Sequence, residues 1–433
     1  VLLFTLAVSA VAAIGFGMGP SISASRTSVA ESLKTSASTA HRNRSKVAAG
    51  NLLTAFQLAL CLVLLVGTGL LVRTLQNLKN INVGFPTSGL LVFGIDPPAQ
   101  VKGDYVITFF DGLTQKLRAL PLVRSVTLTG VRIGTGWSSN THAVVDGAVP
   151  KDIADNHLRW NSVGTQFFTT MGIHMLAGRD FDERDTAKSA PVVIVNNTFA
   201  KRFLKGRNAL GHTASFDPKQ LFTIVGVAED SKYTGLDEEP VAMAWFPYMQ
   251  VGNLGGMHVE LRTTGSATAI LPSVRAAVAS YAPEIALLQP RAQQAEFDET
   301  ILDQRLLARL SIAFAVLAII LVTIGLYGAI SYSVRRRTNE VGLRIALGAE
   351  RGTVIWMILK QGILLCSIGL AIGIPLVFAT SHLMASLLYG VKPTDAISIV
   401  IAASGLLLVG LIATYVPARR AAAIDPIKAL RYE

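Results

Sequence analysis

Cysteine is scarce in this chain of 433 residues: there are two, Cys61 and Cys366, and each falls inside a long apolar run. That argues against a disulfide framework, so the polar part of the chain must be held by its own core. Charge is scarce too, at 15% against 51% hydrophobic residues, a balance shifted to the apolar side of an ordinary soluble domain. The seven histidines are His41, His142, His157, His174, His212, His258 and His382, and none stands at metal-ligand spacing from another His or a Cys. The segment GRNALGHT (206–213) has P-loop glycine spacing, but His212 stands where the phosphate-binding lysine belongs, so it reads as a surface turn. No G-x-S-x-G elbow surrounds Ser138 and Ser139. The acidic group Asp180, Asp182, Glu183 and Asp185 lacks the calcium-loop pattern and reads as a solvated turn. No catalytic, cofactor-binding or metal residue is expected, and any energy source lies elsewhere.

What is abundant is long apolar sequence. Five runs cover residues 1–16, 52–72, 306–332, 355–380 and 396–416, each close to the ~17 to 25 residues a helix needs to cross a bilayer. The first extends to its membrane exit at about residue 20. Basic residues cluster in three of the connecting segments. Residues 21–51 carry Arg26, Lys34, Arg42, Arg44 and Lys46. Residues 333–354 carry Arg335, Arg336, Arg337, Arg344 and Arg351, and the tail 417–433 adds Arg419, Arg420, Lys428 and Arg431. The positive-inside rule makes all three cytoplasmic, which leaves residues 73–305 and the short loop 383–395 outside. The expected fold class is an α-helical transmembrane bundle plus an α+β extracytoplasmic domain. The formal charge of +11 sits largely in short connectors facing anionic lipid headgroups, so the lipid bilayer is the expected partner and nucleic acid is not.

The chain opens at Val1 without a basic n-region, which makes the first run a poor signal peptide. The run ends in GPSISASRTSVAESLK (19–34), and the last run ends in VPARRAAAIDPIKALR (416–431), a loose internal similarity. Both features lead us to expect the continuation of a longer polypeptide, with residues 1–20 as the last helix of a preceding repeat.

The outer block reads as two β-α-β units framing an insertion. The first is LLVFGID (90–96), a helix over 105–120 and VRSVTLTG (123–130). The second is MHVELRTT (257–264), a helix over 269–282 and IALLQP (285–290). Between them PVVIVNNTFAKRF (191–203) reads as strand then helix, and LFTIVGVAED (221–230) as a strand. Two subdomains are expected, the inserted one spanning about 131–256.

The segment RRRTNEVGLRIALGAE (335–350) carries the mechanistic reading. Thr338 or Asn339 is placed to cap a helix, Glu340 and Arg344 stand one turn apart, and Gly348 supplies a stop. Val341, Leu343, Ile345 and Leu347 give the helix an apolar surface. Two uses remain open: an interfacial helix lying on headgroups, or a lever docked on a cytoplasmic partner.

The sequence EVGLRIALGA (340–349) resembles the E-I-G-x-R-x-A-L-G-A signature of FtsX-like permeases, and PARRAAAIDPIKALRYE (417–433) is similar to their C-terminal ending. FFTTMGIHMLAGRDFDERD (167–185), VVIVNNTFAKRF (192–203) and IVGVAEDSKYTGLDEEP (224–240) resemble the periplasmic core domain of MacB-type transporters. The order of residues 52–433 matches one such unit, and the extra first run fits the duplicated (ADOP-type) permeases. The resemblance implies a permease subunit of an ATP-binding cassette transporter in the bacterial inner membrane, with its large domain in the periplasm and a role in export or efflux. ATP and Mg would be bound by a separate subunit. Thr338, Glu340, Val341, Gly342, Leu343, Arg344, Ala346, Leu347 and Gly348 would form the site of coupling to that ATPase. A periplasmic membrane-fusion adaptor, and a second permease unit or a homodimer, are further implied partners. The same architecture would also serve a membrane-anchored sensor or scaffold regulating envelope proteins.

Overall fold

The computed structural model describes residues 36–101, 103–147, 157–217, 220–251 and 255–423. The expected helix at 1–20, its similarity to the tail, and residues 424–433 of the family-like ending lie outside them. The described chain divides into two compact units, a helical one (through Gly69, Ile312–Ser386 and from Pro393) and a sheet-bearing one (Leu70–Ser311 with Leu387–Lys392).

Among the described residues four helices are long and apolar enough to cross a membrane: Gly50–Lys79, Leu302–Arg336, Arg351–Leu387 and Ala396–Ala422. The first belongs to α1 (Ser36–Lys79), a single helix of 44 residues that at ~1.5 Å per residue runs well past both ends of the 52–72 apolar run.

Short α-helices intervene in the sheet-bearing unit: α2 (Asp104–Arg118), α3 (Phe167–Met171), α4 (Asn197–Leu204), α5 (Leu271–Tyr281) and α6 (Gln293–Thr300). Then follow α7 (Leu302–Arg336), α8 (Thr338–Ala346), α9 (Arg351–Met384) and α10 (Ala396–Ala422).

Glycine sets how closely the long helices approach. Gly369 and Gly373 stand one turn apart on α9 facing α1. A methyl added at Gly369 would lie 2.5 Å from Leu58 Cβ and 3.2 Å from the Ala55 carbonyl, and one at Gly373 would lie 3.1 Å from Ala59 Cα. Small residues on both sides bring the two backbones together, the means by which helices associate where lipid offers no hydrophobic driving force. On its other side α9 meets α10 through Gly362 against Thr414 and Gly410 against Cys366. Both cysteines are free and buried, each in a different helix.

Polar clamps complete the helical unit. Gln361 Nε2 donates to Ser333 Oγ at 3.0 Å, tying α9 to α7, and Arg420 Nη1 donates to the Tyr327 hydroxyl at 2.8 Å, tying α10 to α7. Asp395 caps α10, its carboxylate accepting from the Ser398 amide at 2.8 Å.

The sheet-bearing unit holds one sheet of twelve strands. Four come from the flanks of the outer block: β1 (Leu90–Ile95), β2 (Val123–Thr129), β11 (Met257–Thr263) and β12 (Leu288–Ala292). Their spatial order β12-β1-β11-β2, every pair antiparallel, is that of a split β-α-β fold with α2 and α5 as the crossovers. Phe93, Phe110, Leu113, Val126, Val259 and Val274 form the core between these helices and strands. The last strand starts three residues later than the 285–290 expected from hydropathy, at Leu288.

The insertion supplies β3 (Ser139–His142), β4 (Val144–Val145), β5 (His157–Val163), β6 (Met175–Gly178), β7 (Val192–Asn196), β8 (Thr213–Asp217), β9 (Gln220–Ala228) and β10 (Met243–Pro247). The sheet continues β2-β5-β10-β7-β9-β8-β4, with β3 on β5 and β6 on β9. The central strands β7 and β10 are buried at every position, which is why VVIVN shows no alternation in the sequence.

The two halves of the sheet join through a single register pair, Thr129 with Val163. So thin a seam needs side chains, and fully buried Asn161 supplies them. Its Oδ1 accepts from the Val131 amide at 2.8 Å, and its Nδ2 donates to Thr129 Oγ1 at 2.6 Å and to the Val131 carbonyl at 2.9 Å. Thr127 Oγ1 adds a bond to the Thr165 carbonyl at 3.1 Å.

The segment GRDFDERD is a folded knot, and two of its acids, Asp180 and Asp185, depart from the solvated turn that the sequence suggests. Arg179 grips Asp185 with two bonds of 2.7 Å, and Asp185 is 5% exposed. Asp180 turns away to accept from the amide and hydroxyl of Thr169, both at 2.9 Å. Asp180 and Asp185 are consumed by local structure because Arg179 and the start of α3 stand beside them, while Glu183 stays exposed.

Two predictions follow the packing. Gly373→Val lowers the thermal midpoint of the purified chain by several degrees, whereas Gly405→Ala, with open space at its Cβ, leaves it unchanged; equal midpoints for the two variants would contradict the close approach of α9 to α1. Asn161→Ala strands the part-buried Val131 amide, removes a donor from the buried Thr129 hydroxyl and costs about 2 kcal/mol, read as loss of denaturant resistance in the fluorescence of buried Trp245.

Candidate functional site

The expected coupling segment forms α8, which runs from Thr338 to Ala346 directly after α7. Its start differs from the sequence reading. Arg337 is the N-cap and no side chain caps the helix; Thr338 Oγ1 points back and donates to the carbonyls of Arg335 at 2.8 Å and Val334 at 3.3 Å. The reason is continuity: with only Arg337 between the helices, the preceding turn of α7 supplies carbonyl partners, and Val341 N–H bonds to the Arg337 carbonyl at 2.9 Å. Thr338 therefore fastens the bend between α7 and α8.

The far end is a Schellman stop. Gly348 sits at φ +92°, its amide bonds to the Ile345 carbonyl at 3.0 Å, and the Ala349 amide reaches the Arg344 carbonyl at 2.9 Å. A side chain at 348 would be strained there, which accounts for the glycine.

The apolar surface expected of the helix divides in two. Val341 is 1% exposed and Gly342 is buried, facing the rest of the helical unit, where α8 lies against α10. Leu343 and Leu347, 51% and 79% exposed, point outward one turn apart, with Ala346 exposed beside them. Glu340 and Arg344 bond at 2.7 Å along the same outward surface. Each is about half exposed, so the pair adds only ~0.3 to 0.5 kcal/mol to the helix; the stop and the burial of Val341 hold it. Arg344 Nη1 also contacts Met357 Sδ at 2.7 Å, linking α8 to α9. Met357, Ser333 and Gln361 thus support the site without figuring in the sequence reading, since Ser333 lies on α7 and Met357 and Gln361 on successive turns of α9.

The sheet-bearing unit offers a second concave feature, a cleft of about 580 Å³ between the turns at Gly134–Gly136 and Thr234–Asp237, floored by Arg291, Glu296 and Glu299. The turns are stitched by the Gly134 amide to the Tyr233 carbonyl at 2.7 Å and the Gly136 amide to the Thr234 carbonyl at 3.0 Å. Glu238 clamps the second turn, accepting from the Thr234 amide at 3.1 Å and pairing with Arg159. Behind the floor lies a charge network. Buried Arg132 and Arg291 flank Glu296 at 3.4 and 3.3 Å, and Arg132 also donates to the carbonyls of Val92 and Gln289. Glu260, on β11, is fully buried and neither carboxylate oxygen has a hydrogen-bond partner among the described residues. Burial pushes its carboxyl up to about 8, against the pull of Arg132. Burial pushes neighbouring His258 down to about 4, assisted by Arg132.

Among the described residues no group of three or more His, Cys, Asp or Glu could hold a metal ion. Pairing of β3 with β5 does bring His142 opposite His157, ring centroids 4.9 Å apart, a juxtaposition that a fifteen-residue separation in sequence conceals. In the P-loop-like segment Gly206 and Gly211 take positive φ in turns, and His212 Nδ1 lies 2.6 Å from Asp146 Oδ2.

Comparison with known proteins places these features. A family model described as the MacB-like periplasmic core domain matches residues 52–280, more than half of the chain, and the FtsX-like permease C-terminal model matches residues 312–426. The chain belongs to the FtsX-like permeases with a MacB-like periplasmic core domain. The permease is 28% identical over 287 residues to the macrolide export ATP-binding/permease protein MacB of Neisseria gonorrhoeae, covering 62% of this chain and 42% of that protein. It is 29% identical over 286 residues to the probable syringafactin export ATP-binding/permease protein SyfD of Pseudomonas syringae pv. tomato, covering 62% and 41%. The permease thus spans less than half the length of these relatives. Among solved structures it is similar to the periplasmic region of MacB from Actinobacillus actinomycetemcomitans, with TM-score 0.34 and 19% identity over 52% of this chain and 95% of that one.

The opposed shifts at β11 give a pH prediction. Glu260 keeps its proton in the folded state above the pH at which the unfolded chain releases it, so its contribution falls as pH rises from about 4.5 to about 8. His258 has the opposite sense, its contribution rising with pH from about 4 to the usual 6.5. Between pH 6.5 and 8 the Glu260 effect stands apart from that of His258. Over that window the stability of the permease relative to its Glu260→Gln variant falls by about 2 kcal/mol, measured by Trp fluorescence unfolding; parallel pH profiles would show that the carboxyl is not protonated when folded.

Proposed function

We propose that this chain is the permease subunit of an ATP-binding cassette exporter in the bacterial inner membrane, driven by an ATPase on a separate subunit that binds ATP and Mg. The observation that carries the reading is α8: a short rod stopped at Gly348, continuous with α7 and followed at once by α9, showing Leu343 and Leu347 beside the Glu340–Arg344 pair. Two exposed leucines within a charged surround fit a groove on a partner as helix-in-groove anchors. The basic residues around α8 support a cytoplasmic side for it, with the sheet-bearing domain in the periplasm.

Closure of the ATPase pushes α8, and α7 and α9 carry the displacement as rigid bodies. Charges are few within the spans, so work on periplasmic substrates or partners fits better than a hydrophilic path through the bundle. The export named in the relatives supports the direction. A dimeric ATPase would need a second coupling helix, from a second permease unit or another copy of the chain, and a periplasmic membrane-fusion adaptor is the further partner.

The test replaces Glu340 and Arg344 with alanine and Leu343 with aspartate in the full chain reconstituted with its ATP-binding subunit. The variant inserts normally, but permease-dependent stimulation of ATPase activity falls by at least tenfold. Unchanged stimulation and transport would remove α8 from the coupling path, and absence of any association with such a subunit would favour a sensor or scaffold.

A further inference from the structure

The run 355–380 contains one charged residue, Lys360. A charge inside a span is costly unless it reaches headgroups or meets a partner, and Lys360 lies nine residues into α9, about 14 Å from its start. It lines a cleft of about 550 Å³ in the helical unit, formed by Asn51, Leu52 and Ala55 of α1, Arg337 at the α7–α8 bend, and α9 from Met357 to Ile368. Among the described residues no carboxylate lines this cleft, so neither Arg337 nor Lys360 meets a described acid there. The Lys360 ammonium lies 5.6 Å from the centre of the Trp356 ring, a contact that orients the cation without neutralising it.

The rest of the lining is apolar and directional. Lys360, Leu364 and Ile368 repeat every four residues and form one stripe along α9, with the cation at the end nearer α8 and the aliphatic side chains deeper. Leu364 and Leu52, both on the lining, are 60% and 66% exposed. Two cations at one end, bare aliphatic walls at the other, and an interfacial tryptophan match the two ends of an amphiphile.

We propose that this cleft seats an anionic phospholipid, its phosphate held by Arg337 and Lys360 and an acyl chain lying along Leu364 and Ile368. A free phosphate would use the cations and leave the apolar wall bare, which is why a lipid is the occupant. Asn51 and Gln361, also on the lining, add hydrogen-bonding groups beside the headgroup. The lipid would pack across α1, the α7–α8 bend and α9, and so brace the root of α8. The assignment stands independently of any force passing through α8.

The test is native mass spectrometry of the full chain in a neutral detergent, titrated with phosphatidylglycerol or with phosphatidylcholine of the same acyl chains. The wild type retains phosphatidylglycerol about tenfold better than phosphatidylcholine. Arg337→Gln with Lys360→Gln removes that preference, and Lys360→Arg keeps it. Arg309→Gln, an exposed base elsewhere on α7, leaves retention unchanged. Equal retention of the two lipids, an undiminished preference in the double variant, or an equal loss in Arg309→Gln would overturn the site. Displacement of phosphatidylglycerol by millimolar orthophosphate would assign the cleft to a soluble phosphate and overturn the lipid. A thermal melt of each variant at wild-type midpoint confirms that lost retention is not lost folding.

Discussion

The approach of α9 to α1 across Gly369 and Gly373 is the contact on which the helical unit depends. Apolar side chains gain little by leaving lipid for one another, so backbones associate where small residues let them touch and dispersion contacts accumulate. With α9 held against α1 on one side and against α10 through Gly362 and Gly410 on the other, its first turns have a defined place. The Ser333–Gln361 and Arg344–Met357 contacts then fasten α7 and α8 to it. A short exposed helix would not keep its shape alone, since isolated helices of this length are marginal in water; here both of its ends are continued or stopped and Val341 anchors its middle.

The sheet-bearing unit meets a different difficulty. An insertion of eight strands is joined to a split β-α-β frame through one residue pair, and buried polar groups lie at that seam and within the frame. Asn161 is fully satisfied and stitches the seam. Glu260 is not satisfied, and protonation is the cheaper state for such a carboxyl because its charge would be buried without hydrogen bonds. The knot at Arg179 is intermediate, its fork matched by the Asp185 carboxylate.

Much of this was legible in the chain. The spans were visible because an apolar run of this length has few other uses, and EVGLRIALGA announced a helix by its ion-pair spacing and terminal glycine. The flanking β-α-β units were visible because each strand and helix keeps its own period. Hidden features depend on distant segments. Whether Thr338 caps or points back depends on α7 continuing through the bend. Whether Asp185 is solvated or buried depends on Arg179 and α3 folding over it. The Gly369-x-x-x-Gly373 spacing was present as a signal, and reading it as a helix contact needed the partner, Ala55 and Ala59 of α1.

The sequence by itself determined the membrane class, the α+β character of the outer block and the location of the candidate coupling helix, because hydropathy, charge and local periodicity are properties of contiguous residues. Only the tertiary structure decided which face of α8 is presented, that twelve strands make one sheet, that His142 meets His157, and that Lys360 shares a cleft with Arg337. Those outcomes belong to pairs of residues far apart in the chain, and the free energy of each such contact exists only once packing has brought the partners together.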